Sequence, residues 1–250
     1  MPAPYRGVLF DLFGTLIGFD PSRLPELEID GRRLRTTVGA LGTLLAELVP
    51  GTSPPEFLQA LMTVSDEMAR ARAYDHVELP SRERFRRALE RVACEDTILL
   101  EAAVHLSRAH MACIVDATVL PPAHAALLAE LRGRYPLGLV SNFDDTAAAY
   151  DILRRHGLVE YLDTVVVSEA LGLRKPHPGL LRAALRGLGL PADAVLFVGD
   201  TFRDDVASAQ AAGVDVAWID AQGSGAPDGA VPPTYVVREL GDIRACLHHG

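Results

Sequence analysis

The sequence predicts an α/β fold, a doubly wound and mainly parallel sheet with a helical domain inserted after the first strand. Short apolar runs at residues 8–10, 137–140, 164–167, 195–198, 214–219 and 235–237 read as buried parallel strands. Helix-like stretches at 122–131, 145–155, 178–188 and 205–212 fall between them and give a βαβ rhythm. Residues 19–118 differ, because helical patterns at 34–48, 55–72, 81–93 and 97–115 follow one another with no strand expected among them.

Taken in order, the first strand ends at the acid Asp11, and the chain leaves the sheet through Gly18-Phe19-Asp20-Pro21. The insertion is expected to form a cap domain over residues 19–118, within which Ser81 would cap a helix carrying a Glu83–Arg87 pair at i,i+4. The chain returns through Leu120-Pro121-Pro122, so residues 1–18 and 119–250 make up the expected core domain. The last two strands are separated by a Gly/Pro-rich segment, 222–233, that reads as a surface loop.

Composition narrows the function. With 250 residues, 49% hydrophobic content and mean hydropathy +0.16, the chain can bury a sizeable core. A formal charge of −9 argues against a nucleic-acid backbone or an anionic membrane surface as the main partner. Cys94, Cys113 and Cys246 have neither the spacing of a zinc knuckle nor that of a disulfide framework, and read as small buried hydrophobes. No basic segment followed by an apolar stretch opens the sequence, and no uninterrupted apolar run of membrane-spanning length is expected, so a cytoplasmic protein, monomeric or homodimeric, is the expectation.

One residue stands apart. Lys175 is the single lysine of the chain, against 23 arginines. A lone ammonium suits a site needing a compact point charge rather than the planar fork of a guanidinium. Strand candidates also end in polar residues: Asp11, Ser141-Asn142, the segment leading to Lys175, and Gly199-Asp200 followed by Asp204-Asp205. In an open parallel sheet the carboxyl ends share one edge, where the crevice forms, so these residues should converge. Each is also ordinary on its own. A strand-end Asp caps or turns, Ser-Asn makes turns, and acids suit a helix N-terminus.

Taken together, the strings resemble the motifs of the haloacid dehalogenase superfamily. Asp11-Leu12-Phe13-Gly14-Thr15-Leu16 is similar to its first motif, Val140-Ser141-Asn142 to its second, Lys175 before Pro176 to its third, and Gly199-Asp200 with Asp205 to its fourth. The resemblance implies a Rossmann-like core with a helical cap, and a nucleophilic Asp11 that forms an aspartyl-phosphate. It further implies Mg²⁺ held by Asp11, Asp200, Asp205 and the backbone carbonyl of Phe13. Ser141, Thr15 and the amide of Asn142 would bind the phosphoryl group, with Lys175 balancing charge. The expected substrate is a small phosphorylated molecule.

Phe13 departs from the pattern. The superfamily's phosphatases place a second Asp there, as acid and base, and a phenyl ring transfers no proton. Three readings follow. The first is a Mg²⁺-dependent phosphohydrolase whose acid comes from the cap, with His76 or Glu78 as donor and Arg82 or Arg84 as anion contact, or whose leaving group needs no acid. The second is a metal-independent 2-haloacid dehalogenase, whose family members also carry an aromatic residue at this position. The third is a catalytically weakened ligand- or partner-binding homologue. The phosphonate-cleaving branch requires a cap lysine, and residues 19–118 contain none.

Overall fold

The computed structural model describes residues 5–92 and 96–248. Its elements in chain order begin with β1 (Gly7–Phe10), β2 (Gly18–Phe19), β3 (Glu26–Ile29), β4 (Arg32–Arg35), α1 (Gly42–Leu48), α2 (Pro54–Asp75), α3 (Ser81–Arg91) and α4 (Asp96–Asp116). They continue with β5 (Thr118–Val119), α5 (Pro122–Arg132), β6 (Leu137–Ser141), α6 (Thr146–Arg155), β7 (Thr164–Val167), α7 (Ser168–Leu171) and α8 (Gly179–Leu188). The chain closes with β8 (Val195–Gly199), α9 (Ala207–Ala212), β9 (Asp215–Ile219), β10 (Tyr235–Val237) and α10 (Ile243–His248).

Six strands form one sheet in the order β10-β9-β8-β1-β6-β7, with parallel pairing throughout. This is the expected doubly wound α/β arrangement. β1, β6 and β8 are buried along their whole length, which is why their sequences run apolar rather than alternating. Leu9, Val140, Phe197 and Trp218 pack with Leu181 and Leu185 of α8 in the core on one face. Chain connectivity reverses direction across the sheet at β1, which lies between β6 and β8, and such a switch point opens a crevice at the strands' carboxyl ends.

The chain divides into two compact units. One comprises the chain up to Phe19, Val119–Thr146 and everything from Leu153 onward; the other comprises Asp20–Thr118 with Ala147–Ile152. The second unit has its own apolar core, in which Phe57, Leu61, Val64 and Met68 of α2 meet Phe85 and Leu89 of α3. Their spacing along α2 is that of one helical face. Ser53 caps α2 through Glu56 N, Pro54 opens it, and His76 ends it in the left-handed region at φ 54°. Segment Ile98–Asp116 is long and apolar enough to cross a membrane, yet its Leu99, Ala102, Ala103 and Leu106 are buried in the core of this unit.

Two expectations within the insertion require correction. The helix expected at 34–48 is instead a strand end, a 3-10 turn at Thr37–Ala40 and the short α1. Before it, β3 and β4 pair antiparallel, joined by Asp30 and Gly31 at φ 50° and φ 72°. Positive φ at both central residues is the type I′ geometry that Asp-Gly favours, so the local turn chemistry overrides the helical periodicity read across Leu34. Ser81 also does not cap α3. Pro80 occupies the cap position, while the buried Ser81 hydroxyl accepts a hydrogen bond from Ser107 Oγ at 3.0 Å. The Glu83–Arg87 pair forms at 2.7 Å. Cys246 is buried and Cys113 half-buried, and Cys94 lies outside the described residues.

Candidate active site

The sheet order determines which residues meet. Asp11 follows β1, Ser141 ends β6 and Asp200 follows β8, so the central strand presents Asp11 between its two neighbours. Asp11 N donates to Val198 O at 2.9 Å, carrying the ladder one residue past the strand and fixing the carboxyl at the crevice. Beyond it the chain turns back on itself, with Leu16 N and Ile17 N both donating to Leu12 O at 2.9 Å. Gly14 sits at φ 80°, and a Cβ there would lie 2.2 Å from Asp200 Oδ2. Backbone conformation and close approach therefore both require glycine in this turn.

Lys175 reaches the same point from the loop after α7, across a cis peptide to Pro176. Asn142 holds that loop by its backbone. Its Oδ1 accepts from Lys175 N at 2.7 Å and its Nδ2 donates to Lys175 O at 3.0 Å. The buried ammonium then places its three donors on Asp11 Oδ1 at 2.5 Å, Asp205 Oδ1 at 2.7 Å and Val140 O at 2.9 Å. Three convergent acceptors around one nitrogen suit an ammonium and not a planar guanidinium, which gives the lone lysine a physical reason.

Asp205 belongs to a π-helical turn, Phe202–Val206, that opens α9. Its second oxygen accepts from Thr201 N at 2.9 Å, and Gly199 leaves the room it needs, since a Cβ there would fall 2.4 Å from Asp205 Cγ. Asp200 is held from the other side, where Trp218 Nε1 donates to its backbone carbonyl at 2.9 Å. Trp218 can do so because it pairs with Gly199 in the β8–β9 register, one residue before Asp200.

One carboxylate oxygen each from Asp11, Asp200 and Asp205 lies within 4.8 Å of the others. Burial raises the Asp11 carboxyl to about 7, with Lys175 opposing the shift and Asp205 adding to it. Burial likewise raises Asp200, again reinforced by Asp205. Burial pulls Lys175 downward, but Asp11 and Asp205 outweigh it and hold the ammonium above the usual lysine range. The donor set is all oxygen and anionic, the chemistry that suits a hard divalent cation. Thr15 adds a buried hydroxyl with no hydrogen-bond partner among the described residues, in the turn that follows Asp11.

A cavity of about 180 Å³ opens on this cluster, lined by Asp11, Ser141, Asn142, Lys175 and Asp205, with Phe13, Arg174, Thr201 and Asp204 completing the wall. The structure thus brings together the core residues singled out in the sequence. His76 and Arg82 belong to the other unit, where His76 ends α2 and the exposed Arg82 lies in the first turn of α3 beside Leu79 and Leu100. Sequence reasoning missed Arg174, Thr201, Phe143 and Trp218. Arg174 and Thr201 adjoin named motif residues, a signal that was available. Phe143, whose ring centroid lies 5.3 Å from that of Phe13, and Trp218 depend on loop packing and register.

The model of the haloacid dehalogenase-like hydrolases matches residues 5–213. The chain belongs to this family of hydrolases. It is 34% identical over 127 residues to the pyrimidine 5′-nucleotidase YjjG of Escherichia coli (strain K12), covering 50% of this chain and 56% of that one. It is 27% identical over 214 residues to a phosphoglycolate phosphatase of Shigella boydii serotype 4 (strain Sb227), covering 83% and 78%. The matches span about half of the first relatives' own length, 56% of the nucleotidase and 46% of a haloacid dehalogenase-like hydrolase domain-containing protein 3 of Danio rerio. Among solved structures, a 2-haloacid dehalogenase from Pseudomonas syringae pv. Tomato DC3000 superimposes with TM-score 0.74 at 25% identity, covering 98% of this chain and 99% of that one. The hydrolase family therefore reaches this chain through relatives named for both phosphate and carbon–halogen chemistry.

Proposed function

We propose that this hydrolase is a Mg²⁺-dependent phosphohydrolase acting on a small phosphorylated molecule through an aspartyl-phosphate on Asp11. The observation that carries the reading is the triad of carboxylates, Asp11, Asp200 and Asp205, with oxygens within 4.8 Å of one another and a single ammonium bonded to two of them, Asp11 and Asp205. Three clustered acids, two of them buried, repel one another, and one lysine cannot neutralise them, so the cluster fits a divalent cation. Asp11, Asp200 and Asp205, with the Phe13 carbonyl, would hold Mg²⁺, which when bound neutralises charge on the phosphoryl oxygens.

The chain's own groups would do the rest. Lys175 fixes one Asp11 oxygen, orienting the carboxylate for in-line attack on phosphorus. The Asp11–phosphorus bond forms as the bond to the leaving oxygen breaks, and the electron pair leaves with that oxygen. Ser141, Thr15 and the amide of Asn142 donate to the equatorial oxygens. Water then adds to phosphorus, and the Asp11 carboxylate is released with phosphate.

A 2-haloacid dehalogenase is the second reading, favoured by Phe13 and by the likeness to the Pseudomonas syringae structure. In that chemistry Asp11 attacks carbon and halide departs, leaving the acids of the fourth motif with Lys175 but no divalent cation beside a carboxylate substrate. Repulsion places it second. Assays of acetyl phosphate, p-nitrophenyl phosphate and 2-chloropropionate, each with Mg²⁺ and with EDTA, separate the two. Phosphate release lost with EDTA is expected; chloride release that survives EDTA would overturn the proposal. Asp11→Asn is expected to abolish turnover in either case.

A further inference from the structure

We infer that the substrate's leaving group departs unprotonated, as the anion of an acidic oxygen, which makes the substrate class an acyl or aryl phosphate rather than an alkyl ester. This inference rests on the phosphohydrolase reading above. What carries it is an apolar wall beside the nucleophile. Phe13 lines the Asp11 cavity, and its ring packs against Phe143 with centroids 5.3 Å apart and planes inclined at 47°. Both rings sit on braced backbone. Phe143 N donates to Ser168 Oγ at 2.9 Å and Ser168 Oγ donates back to Phe143 O at 3.1 Å, while Gly14 N donates to Ile17 O at 2.9 Å just after Phe13.

The titratable side chains that line the cavity already hold partners. Lys175 spends its three donors on Asp11, Asp205 and Val140. Asp205 accepts from Lys175 with one oxygen and from Thr201 N with the other. Asp204 Oδ2 accepts from Asn142 Nδ2 at 3.3 Å. A guanidinium such as that of Arg174 keeps its protons throughout. Thus, among the described residues, the wall two residues from the nucleophile offers aromatic carbon where a proton would be needed for an alkoxide to leave.

Atoms balance without that proton when the leaving oxygen is acidic. In the first step the Asp11 oxygen bonds to phosphorus and a carboxylate or phenolate departs with its electron pair. In the second step water bonds to phosphorus, Asp11 departs as a carboxylate, and the water's protons stay with the phosphate product. The aspartyl-phosphate is itself an acyl phosphate, so its hydrolysis expels a carboxylate in every cycle. Both halves of the reaction then have leaving groups of one kind, and only an alkyl ester would introduce a different demand.

The test is the rate, with Mg²⁺ and the full chain, on acetyl phosphate, p-nitrophenyl phosphate, phenyl phosphate and glycerol 3-phosphate, with Asp11→Asn as the baseline for spontaneous hydrolysis. General acid help is worth about 10²–10⁴, so acetyl and nitrophenyl phosphate are expected to exceed glycerol phosphate by about 10² or more in kcat/KM. Glycerol phosphate within about tenfold of acetyl phosphate would overturn the inference while leaving the phosphohydrolase reading intact. Phosphate release from none of the four would overturn that reading, and the inference with it. Phe13→Leu keeps the wall apolar and should preserve the steep dependence on the leaving group even if Phe13→Asp fails to fold. Where Phe13→Asp does fold, it should raise the alkyl rate relative to the acyl rate.

Discussion

At the scale of single residues, the site is organised around one ammonium. Lys175 is buried at 2% exposure and bonds two carboxylates and a carbonyl, so its worth lies in a geometry of three donors converging from one atom. Arginine at this position would keep the charge but spread its donors over a planar fork some ångströms longer. Lys175→Arg is therefore expected to lower kcat by about 10² to 10³, as loss of an oriented donor does, and phosphate-release kinetics would show it. Lys175→Met should destabilise the fold, because the buried Asp11 and Asp205 would lose their cation. A loss of about 3–5 kcal/mol in metal-free chemical denaturation is expected, partly recovered when Mg²⁺ is added. A Lys175→Arg variant with unchanged kcat would show that charge alone suffices. The lysine's singularity was legible in the sequence, as were Asp11, Ser141 and Asp200 at the ends of apolar runs. Its three partners were not all legible, since Val140 contributes a carbonyl and backbone acceptors carry no side-chain signature.

At the scale of elements, what was legible depended on how local the determinant is. The six strands of the main sheet follow from continuous apolar runs, and the structure places them within a residue or so of the expected bounds. The β3–β4 hairpin escaped because its Arg32–Arg35 strand is fully exposed and Leu34 mimicked the start of a helical face, although Asp30-Gly31 carried the turn signal. The Trp218 contact escaped for a different reason, since it requires knowing that Gly199 and Trp218 are partners in register. That contact makes β9 a brace for the loop bearing Asp200. The indole is 5% exposed, stands edge-on to Phe202 at 5.1 Å and donates to the Asp200 carbonyl. Trp218→Phe removes one hydrogen bond from the half-buried Asp200 carbonyl, a cost of about 0.5–1.5 kcal/mol. The expected result is a weaker apparent Mg²⁺ affinity with kcat at saturating Mg²⁺ changed less. Trp218 is also the sole tryptophan, so its emission in the parent chain should respond to Mg²⁺ titration. Invariant emission across the titration, with unaltered Mg²⁺ dependence in Trp218→Phe, would show that this brace is not linked to the proposed metal site.

At the scale of the whole molecule, the acidic cluster links folding to pH and, on the reading proposed above, to a metal. The folded carboxyl of Asp11 is raised to about 7, above its value in the unfolded chain, and Asp200 is raised in the same direction. A carboxyl raised on folding favours the folded state below its unfolded value, and that stabilisation is lost as pH rises through the folded value. The metal-free protein should therefore lose this part of its stability between about pH 4 and about pH 7, where burial forces charge onto mutually repelling acids. A divalent cation held there as proposed would reverse the trend, because it would bind the ionised carboxylates and have to displace their protons when they are protonated. Its apparent affinity should rise with pH through about 7 and then level off. Since a ligand of the folded state adds stability according to its affinity, the gain in Tm on adding Mg²⁺ should be small at about pH 5.5 and larger at about pH 8. Taking the difference with and without Mg²⁺ at each pH cancels every titration outside the cluster, including that of His110, whose imidazole desolvation pushes down to about 3. Thermal melts of the full chain at the two pH values, repeated with Asp200→Asn, are the measurement. A Mg²⁺-induced shift that is equal at both pH values, or that survives Asp200→Asn unchanged, would place the bound cation somewhere other than these three carboxylates.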